Sequence, residues 1–245
     1  MALVHVALLG GFFLLLTSYA NILYNIISNK SNSVEIVDFF DLEFSMNYTE
    51  YRKTARSLDI VLFGGKGRIS EAIKWATGSD KSHIALTLHV QDYDCLALFE
   101  STTLSTTPDL IGDKPVKGVQ LVNMSSRLET YDGDVWVRPI YGKRTRKMKE
   151  TAIQVMREFH GRPYEQSQLD LIRSAIDIPG VRIMRNQGDA SSVFCSELVT
   201  IMLREVGIMP NEGEPPDEFT PADFENDDLI LNEGYSLGEI VPIDN

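Results

Sequence analysis

The fold is decided by two apolar runs around a polar turn, SHIALTLHVQDYDCLALFE at residues 82–100. Residues 82–90 and 95–100 have the length and the apolar content of β-strands, and the polar residues 91–94 between them turn the chain back. The sequence therefore predicts an antiparallel β-hairpin. Each predicted strand carries one polar side chain near the same end of this hairpin, His83 in the first and Glu100 in the second.

The residues around this hairpin predict more short strands and several helices. Strands are expected at 59–63, 119–122 and 135–140. Apolar residues at helical spacing predict helices at 69–76, 148–159 and around 169–176, and a further helix from Ser191 to Gly207 with Ser192 as its N-cap. Strands followed by helices in this order are typical of an α+β domain.

Composition divides the chain of 245 residues into four segments. Residues 1–28 are apolar, residues 29–56 are polar and predict a linker or a peripheral segment, and residues 57–210 hold the predicted strands and helices. Residues 211–245 follow as an acidic segment packed on the domain. Between 211 and 228 this segment has eight acidic residues, no basic residue and three prolines, which favours a solvated, loosely structured lid.

The apolar amino-terminal segment predicts a membrane or secretory location. Residues 2–27 are about long enough to cross a bilayer, which takes roughly 20 residues. Ser18 and Ala20 also fit the small-residue pattern of a signal-peptidase site. An uncleaved anchor and a cleaved signal peptide both stay open.

Charge and residue counts exclude several classes of function. A formal net charge of −12 repels phosphate backbones, so nucleic acid is not an expected partner. Two cysteines are too few for a disulfide scaffold, and the four histidines show no paired metal-ligand spacing. No metal or other cofactor is expected.

The candidate chemistry centres on Cys195, near the start of its predicted helix. The free N–H groups and the dipole of a helix N-terminus favour an anion, and therefore the thiolate form of this cysteine. A thiolate nucleophile needs a base and a group that orients the base, for which His83 and Glu100 are the candidates. A two-residue turn at Asp92–Tyr93 places Glu100 one diagonal step from His83 on one face. A turn centred on Gln91–Asp92 places them directly opposite, and an odd-membered turn places them on opposite faces.

Other interpretations of these residues stay open. A cysteine on an apolar helical stripe is commonly a small core residue, and a histidine at a strand start is commonly a hydrogen-bonded surface residue. Cys95 and Cys195 are compatible with a disulfide in an exported protein. Cys95, however, is five residues from Glu100, so Cys195 cannot both meet His83 and bridge to Cys95.

Six short motifs in this order resemble those of one family, the permuted papain-like amidases of the YaeF/YiiX type, which are related to the NlpC cell-wall peptidases. The motifs lie at 59–63, 75–84, 99–101, 161–164, 194–199 and 220–223. In that permuted group the histidine strand precedes the cysteine helix, and here His83 precedes Cys195. The resemblance implies an antiparallel sheet packed on the cysteine helix, with Cys195 as nucleophile, His83 as base and Glu100 as the orienting residue. It also makes Tyr164, Ser82 and Ser196 candidates for the substrate cleft.

The function expected from the resemblance is that of a thiol hydrolase acting through an acyl-thioenzyme on a small amide, an ester or a peptide. A first alternative is a membrane-associated acyltransferase or phospholipase of the lecithin:retinol acyltransferase-like type, with a lipid substrate. A second is a catalytically inactive binding protein of the same fold.

Overall fold

The computed structural model describes residues 45–90, 94–104, 106–163 and 194–244. Contacts divide the chain into two units, Met1–Leu42 and Glu43–Asn245, and every described residue belongs to the second unit. The strands and helices in this unit confirm the predicted α+β class.

The described residues form nine strands and five α-helices. The strands are β1 (Met46–Asn47), β2 (Ile60–Gly65), β3 (His83–Val90), β4 (Cys95–Thr102), β5 (Gly118–Asn123), β6 (Gly133–Arg138), β7 (Ile140–Tyr141), β8 (Ser236–Leu237) and β9 (Val241–Asp244). The helices are α1 (Tyr48–Thr54), α2 (Arg68–Thr77), α3 (Met124–Thr130), α4 (Arg146–Phe159) and α5 (Cys195–Glu205). Two 3₁₀ helices follow α5, at Pro216–Glu218 and Pro221–Glu225.

Seven of the strands form one sheet in the order β1-β9-β6-β2-β3-β4-β5. Its pairings are antiparallel except for β1 with β9. Strands β3 and β4 are the predicted hairpin, and Leu86 pairs with Phe99 while Val90 pairs with Cys95. This is the register expected for a two-residue turn at Asp92–Tyr93. Continued to the start of β3, it puts His83 opposite Thr102 and one diagonal step from Glu100.

Side chains alternate between two buried faces of the sheet, as the pleat requires. One face packs against α4 and α5, through sheet residues such as Ile84 and Phe99 and helix residues such as Leu198. The other face packs against α1 and α3, through residues such as Ala85 and Leu98. By alternation His83 and Glu100 share the second face. Their environment is therefore set partly by α3.

Local sequence explains where the helices near the site begin and end. Helix α2 ends at Gly78, whose φ of 68° is left-handed and whose N–H donates to the Lys74 carbonyl oxygen. Helix α3 begins at Asn123, whose side-chain oxygen accepts from the N–H groups of Ser125 and Ser126. Sequence periodicity did not predict α3, because a helix of seven residues has too few turns for a repeat. The helix predicted around 169–176 lies outside the described residues.

Two structural expectations need correction. The N-cap of α5 is Phe194 rather than Ser192, so Cys195 is the first residue of the helix. The segment after residue 210 is also more integrated than a solvated lid, because Phe224 is fully buried and β9 pairs with β6 and β1. Buried Arg138 binds the carbonyl oxygens of Phe224 and Asn226, and this guanidinium offsets local acidic charge by pairing with Asp227.

The expectation of a membrane-anchored or secretory-pathway protein is also corrected. In the part of the chain that the structure describes, no helix has the length and apolar character needed to span a bilayer. The segment at 1–28 that motivated both the anchor and the signal-peptide predictions lies outside the described residues.

Candidate active site

His83 is the first residue of β3, and its side chain is only 12% exposed. The strand pairs it with Phe63 of β2, and the rings of the two residues lie 5.2 Å apart between centroids. Packing against this aromatic ring limits the orientations open to the imidazole. The imidazole of His83 is therefore held in an orientation in which its nitrogen atoms face their hydrogen-bond partners.

Glu100 lies in β4 and is fully buried, which is costly for a carboxylate without partners. Its Oε2 lies 2.7 Å from Nε2 of His83. The hairpin register accounts for this contact, because diagonal neighbours on one face are within reach of long side chains. The structure thus brings together two of the three residues proposed from the sequence.

The second oxygen of Glu100 is held by two further side chains. Oε1 accepts from Arg127 Nε at 2.9 Å, from Arg127 Nη2 at 2.5 Å and from Gln120 Nε2 at 3.1 Å. Burial by itself would raise the pKa of Glu100, but the hydrogen bond from His83 and the charge of Arg127 outweigh it and lower the pKa. The carboxyl group is therefore ionised and acts only as an acceptor.

Cys195 supplies the third group. It opens α5, it is 6% exposed, and its thiol lies within hydrogen-bonding reach of His83. The first N–H groups of an α-helix have no partner within the helix, so they are available to an anion near the thiol. Cys95 and Cys195 are both free thiols, which excludes the disulfide alternative in this structure.

The thiol and the carboxylate together set the ionisation of His83. Burial alone would lower the pKa of this imidazole, but hydrogen bonds to Cys195 and Glu100 raise it to about 9. A raised pKa means that the imidazolium form is favoured between these two acidic groups. The geometry is thus compatible with a thiolate–imidazolium pair braced by a buried carboxylate.

Two of the residues that the sequence proposed for the substrate cleft, Ser82 and Ser196, form hydrogen bonds to the backbone through their hydroxyl groups. Ser82 Oγ accepts from the Gly65 N–H at 3.1 Å and lies 3.3 Å from the Phe63 carbonyl oxygen. Ser196 Oγ donates to the Phe219 carbonyl oxygen at 2.6 Å. Tyr164 lies outside the described residues, so its place in the cleft stays a prediction.

Three residues around the site were missed from the sequence. Arg127 lies on α3, which the sequence did not predict. Gln120 is the one polar residue of the predicted strand 119–122, and a single polar residue in an apolar strand does not by itself indicate a site. Tyr131 follows α3, packs its ring edge-on against Phe63 at 4.9 Å, and hydrogen-bonds Ser82. The one signal that pointed to α3 was Asn123 as an N-cap, with apolar residues following it at a spacing of four.

Metal ligation has no geometric support among the described residues. There, no group of three or more His, Cys, Asp or Glu side chains is arranged to hold a metal ion.

No family model matches the chain, and no curated protein matches it. Among solved structures it is similar to the crystal structure of metalloprotein yiiX from Escherichia coli O157:H7, a DUF1105 protein, at 18% sequence identity and a TM-score of 0.44. The match covers 62% of this chain and 66% of the yiiX chain. The term metalloprotein describes that neighbour, and membership of the permuted papain-like family stays a prediction for this chain.

Proposed function

We propose that this chain is a thiol hydrolase of the permuted papain-like type that cleaves an amide or ester bond. The observation that carries the proposal is the position of His83, which contacts the Cys195 thiol and the buried Glu100 carboxylate. A nucleophile, a base and a residue that orients the base are the three parts of a covalent hydrolase site. The order of His83 before Cys195 in the chain agrees with a permuted arrangement.

The proposed reaction begins with attack of the Cys195 sulfur on the substrate carbonyl carbon. The oxygen of the tetrahedral intermediate is stabilised by the backbone N–H of Cys195, at the positive end of α5. His83 then gives its proton to the leaving amine or alcohol, and the carbon–nitrogen or carbon–oxygen bond breaks to leave a thioester. Water attacks the thioester with His83 as base, which releases the acid and restores the thiol. Glu100 keeps the imidazole oriented and stabilises its charged form.

The experiment that tests this function is intact-mass analysis after treatment with an electrophilic acyl-amide probe. The wild-type protein and the Cys95→Ala variant are expected to gain one acyl adduct, and Cys195→Ala is expected to gain none. Cys95 is a matched control because it is a free thiol and is more exposed than Cys195. An adduct that persists in Cys195→Ala, or a wild-type protein that gains none, contradicts the proposal.

Substrate panels then separate the alternatives that the sequence left open. Release of amine from acyl-amides or peptides supports amide hydrolysis. Release or transfer of fatty acyl groups from phospholipids supports the acyltransferase or phospholipase alternative. A protein that binds members of these panels without turning them over fits the inactive binding protein.

A further inference from the structure

Arg127 forms a buried ion pair with the carboxylate of the proposed site. Its guanidinium donates twice to Glu100 Oε1, and the exposed fractions of the two residues are 1% and 0%. Its remaining nitrogen, Nη1, donates to Thr106 Oγ1 at 3.2 Å. Solvent therefore does not screen this charge from the site, and its effect on neighbouring ionisations is large.

The charge balance of the cluster depends on this arginine. With Arg127 present, Glu100 is already neutralised, and moving a proton from Cys195 to His83 leaves the net charge at zero. Without Arg127, the cluster has zero net charge when Glu100 is ionised, His83 is protonated and the Cys195 thiol is uncharged. Ionising Cys195 as well would then leave an uncompensated negative charge in a buried site, which is strongly unfavourable. The carboxyl group would not take the proton instead, because a free carboxyl loses its proton far more readily than a free thiol.

We propose that Arg127 is a positioning residue whose buried charge neutralises Glu100, so that His83 is free to exchange its proton with Cys195. This inference rests on the proposed thiol-hydrolase function and adds a fourth member to its site. Four alternating charges then run through the protein, from Arg127 through Glu100 and His83 to the Cys195 thiolate.

Tyr131 is a further titratable group that interacts with this cluster, and it does not replace the charge of Arg127. The cluster receives His83 from β3, Glu100 from β4, Arg127 from α3 and Cys195 from α5, and Tyr131 follows α3. Burial raises the pKa of Tyr131, and its hydrogen bond with Ser82 opposes this only partly, so the phenol stays neutral. Gln120 donates to the same Glu100 oxygen without carrying a charge. Arg127 is therefore the group whose removal changes the balance.

The test is the pH dependence of Cys195 alkylation by iodoacetamide, followed by peptide mapping so that Cys95 is counted separately. Arg127→Met should lower the Cys195 rate about tenfold or more near pH 6.5, and the deficit should close as the pH approaches 9.5. Arg127→Lys keeps the charge and should keep the wild-type pH profile. Arg138→Met is the matched control, because Arg138 is buried like Arg127 but binds backbone carbonyl oxygens, such as that of Phe224, instead of residues of this cluster. It should lower thermal stability and leave the pH profile unchanged.

Each outcome bears on one of the two proposals. A folded Arg127→Met protein with the wild-type profile, or with an equal loss of rate at every pH, overturns the role of Arg127. Arg127→Gln keeps donors for Glu100 without the charge, and it carries the same expectation if the Met variant does not fold. A wild-type protein whose Cys195 reacts no faster than Cys95 near pH 6.5 overturns the proposed function itself. A reactive wild type with an unaltered Arg127→Met profile removes only the present inference.

Discussion

Two histidine–carboxylate pairs lie in the described part of the chain, and their surroundings differ. His83 Nε2 lies 2.7 Å from Glu100, and His160 Nε2 lies 3.0 Å from Asp109. Both carboxylates are buried, so both need compensation. Side chains supply it at Glu100, whereas backbone N–H groups, including that of Leu121 at 2.9 Å, supply it at Asp109. Only the His83 imidazole also meets a thiol among the described residues.

The comparison shows that a histidine–carboxylate contact does not by itself indicate catalysis. The pair at Asp109 fixes a loop, because its carboxylate accepts from Ile111 and Gly112 as well as Leu121 and so ties this loop to β5. In the described part of the chain, the Glu100 carboxylate is held by side chains, and its partner His83 also contacts the Cys195 thiol. The following variants compare the two pairs, beginning with the nucleophile itself.

Replacing the nucleophile should have the largest effect. Cys195→Ser is expected to reduce turnover to background while the protein stays folded, because a serine hydroxyl is a much weaker acid and a much poorer nucleophile than a thiol. Steady-state hydrolysis of the best substrate from the panels measures the rate, and circular dichroism checks the fold. Cys95→Ser, the control, should stay close to wild type. Full activity of Cys195→Ser would end the nucleophile assignment.

Removing each histidine separates the two pairs most directly. His83→Ala should lower the rate by about two to four orders of magnitude, the usual loss for a missing general base. His160→Ala should change the rate by less than about threefold, because its partner carboxylate acts on backbone groups and not on a nucleophile. Hydrolysis rates of the two variants provide the measurement. Equal losses would mean that the pairs do not differ in function.

Neutralising each carboxylate should give a smaller difference in hydrolysis rate between the two pairs than removing each histidine. Glu100→Gln keeps an acceptor for His83 but loses the charge that stabilises the imidazolium, so we expect a rate about ten- to a hundredfold below wild type. Asp109→Asn should leave the rate within about twofold and lower the free energy of unfolding by about 1–3 kcal/mol, since backbone donors lose a charged acceptor. Urea denaturation and kinetics on both variants distinguish these effects. A Glu100→Gln enzyme with the wild-type rate would reduce the site to Cys195 and His83.

The sequence indicated the three proposed site residues better than it indicated the residues that surround them. Cys195, His83 and Glu100 are chemically conspicuous in apolar segments, and the hairpin restricted the pairing to three registers. Choosing among those registers requires the turn conformation, which residue types alone do not specify. Arg127 was missed because α3 is short, and a buried arginine in a polar stretch looks like a solvated one. Its partner is separated from it by 27 residues.

The acidic carboxyl-terminal segment was misjudged for a related physical reason. Prolines and carboxylates predict exposure, but the attachment of this segment depends on backbone carbonyl groups, which every residue has. Arg138 binds three of them, from Phe224, Asn226 and Gly238. Such contacts are set by tertiary structure and leave no pattern in the segment itself. Composition predicted the charge of the segment but not its place in the fold.

The smallest expected effect concerns the pH dependence of stability. The pKa of His83 is raised from 6.5 to about 9 in the folded protein, after hydrogen bonds to Cys195 and Glu100 outweigh the effect of burial. The folded state therefore holds this proton more tightly than the unfolded state. The resulting stabilisation is fully present below pH 6.5 and is lost as the pH rises through about 9.

Urea denaturation between pH 6 and pH 9.5 should therefore show an alkaline decline in the wild-type free energy of unfolding, and His83→Gln should remove roughly 1–2 kcal/mol of that decline. At the acid end the two pairs should behave alike, because the pKa values of Glu100 and Asp109 are both lowered. For each carboxylate, burial opposes the shift. Hydrogen bonds from His83 and the charge of Arg127 outweigh it at Glu100, and backbone N–H groups outweigh it at Asp109. Both contributions are present above the ordinary carboxyl pKa and fall away together on acidification. An alkaline decline that survives in His83→Gln would place the responsible group elsewhere and contradict the proposed linkage of the His83 pair to pH.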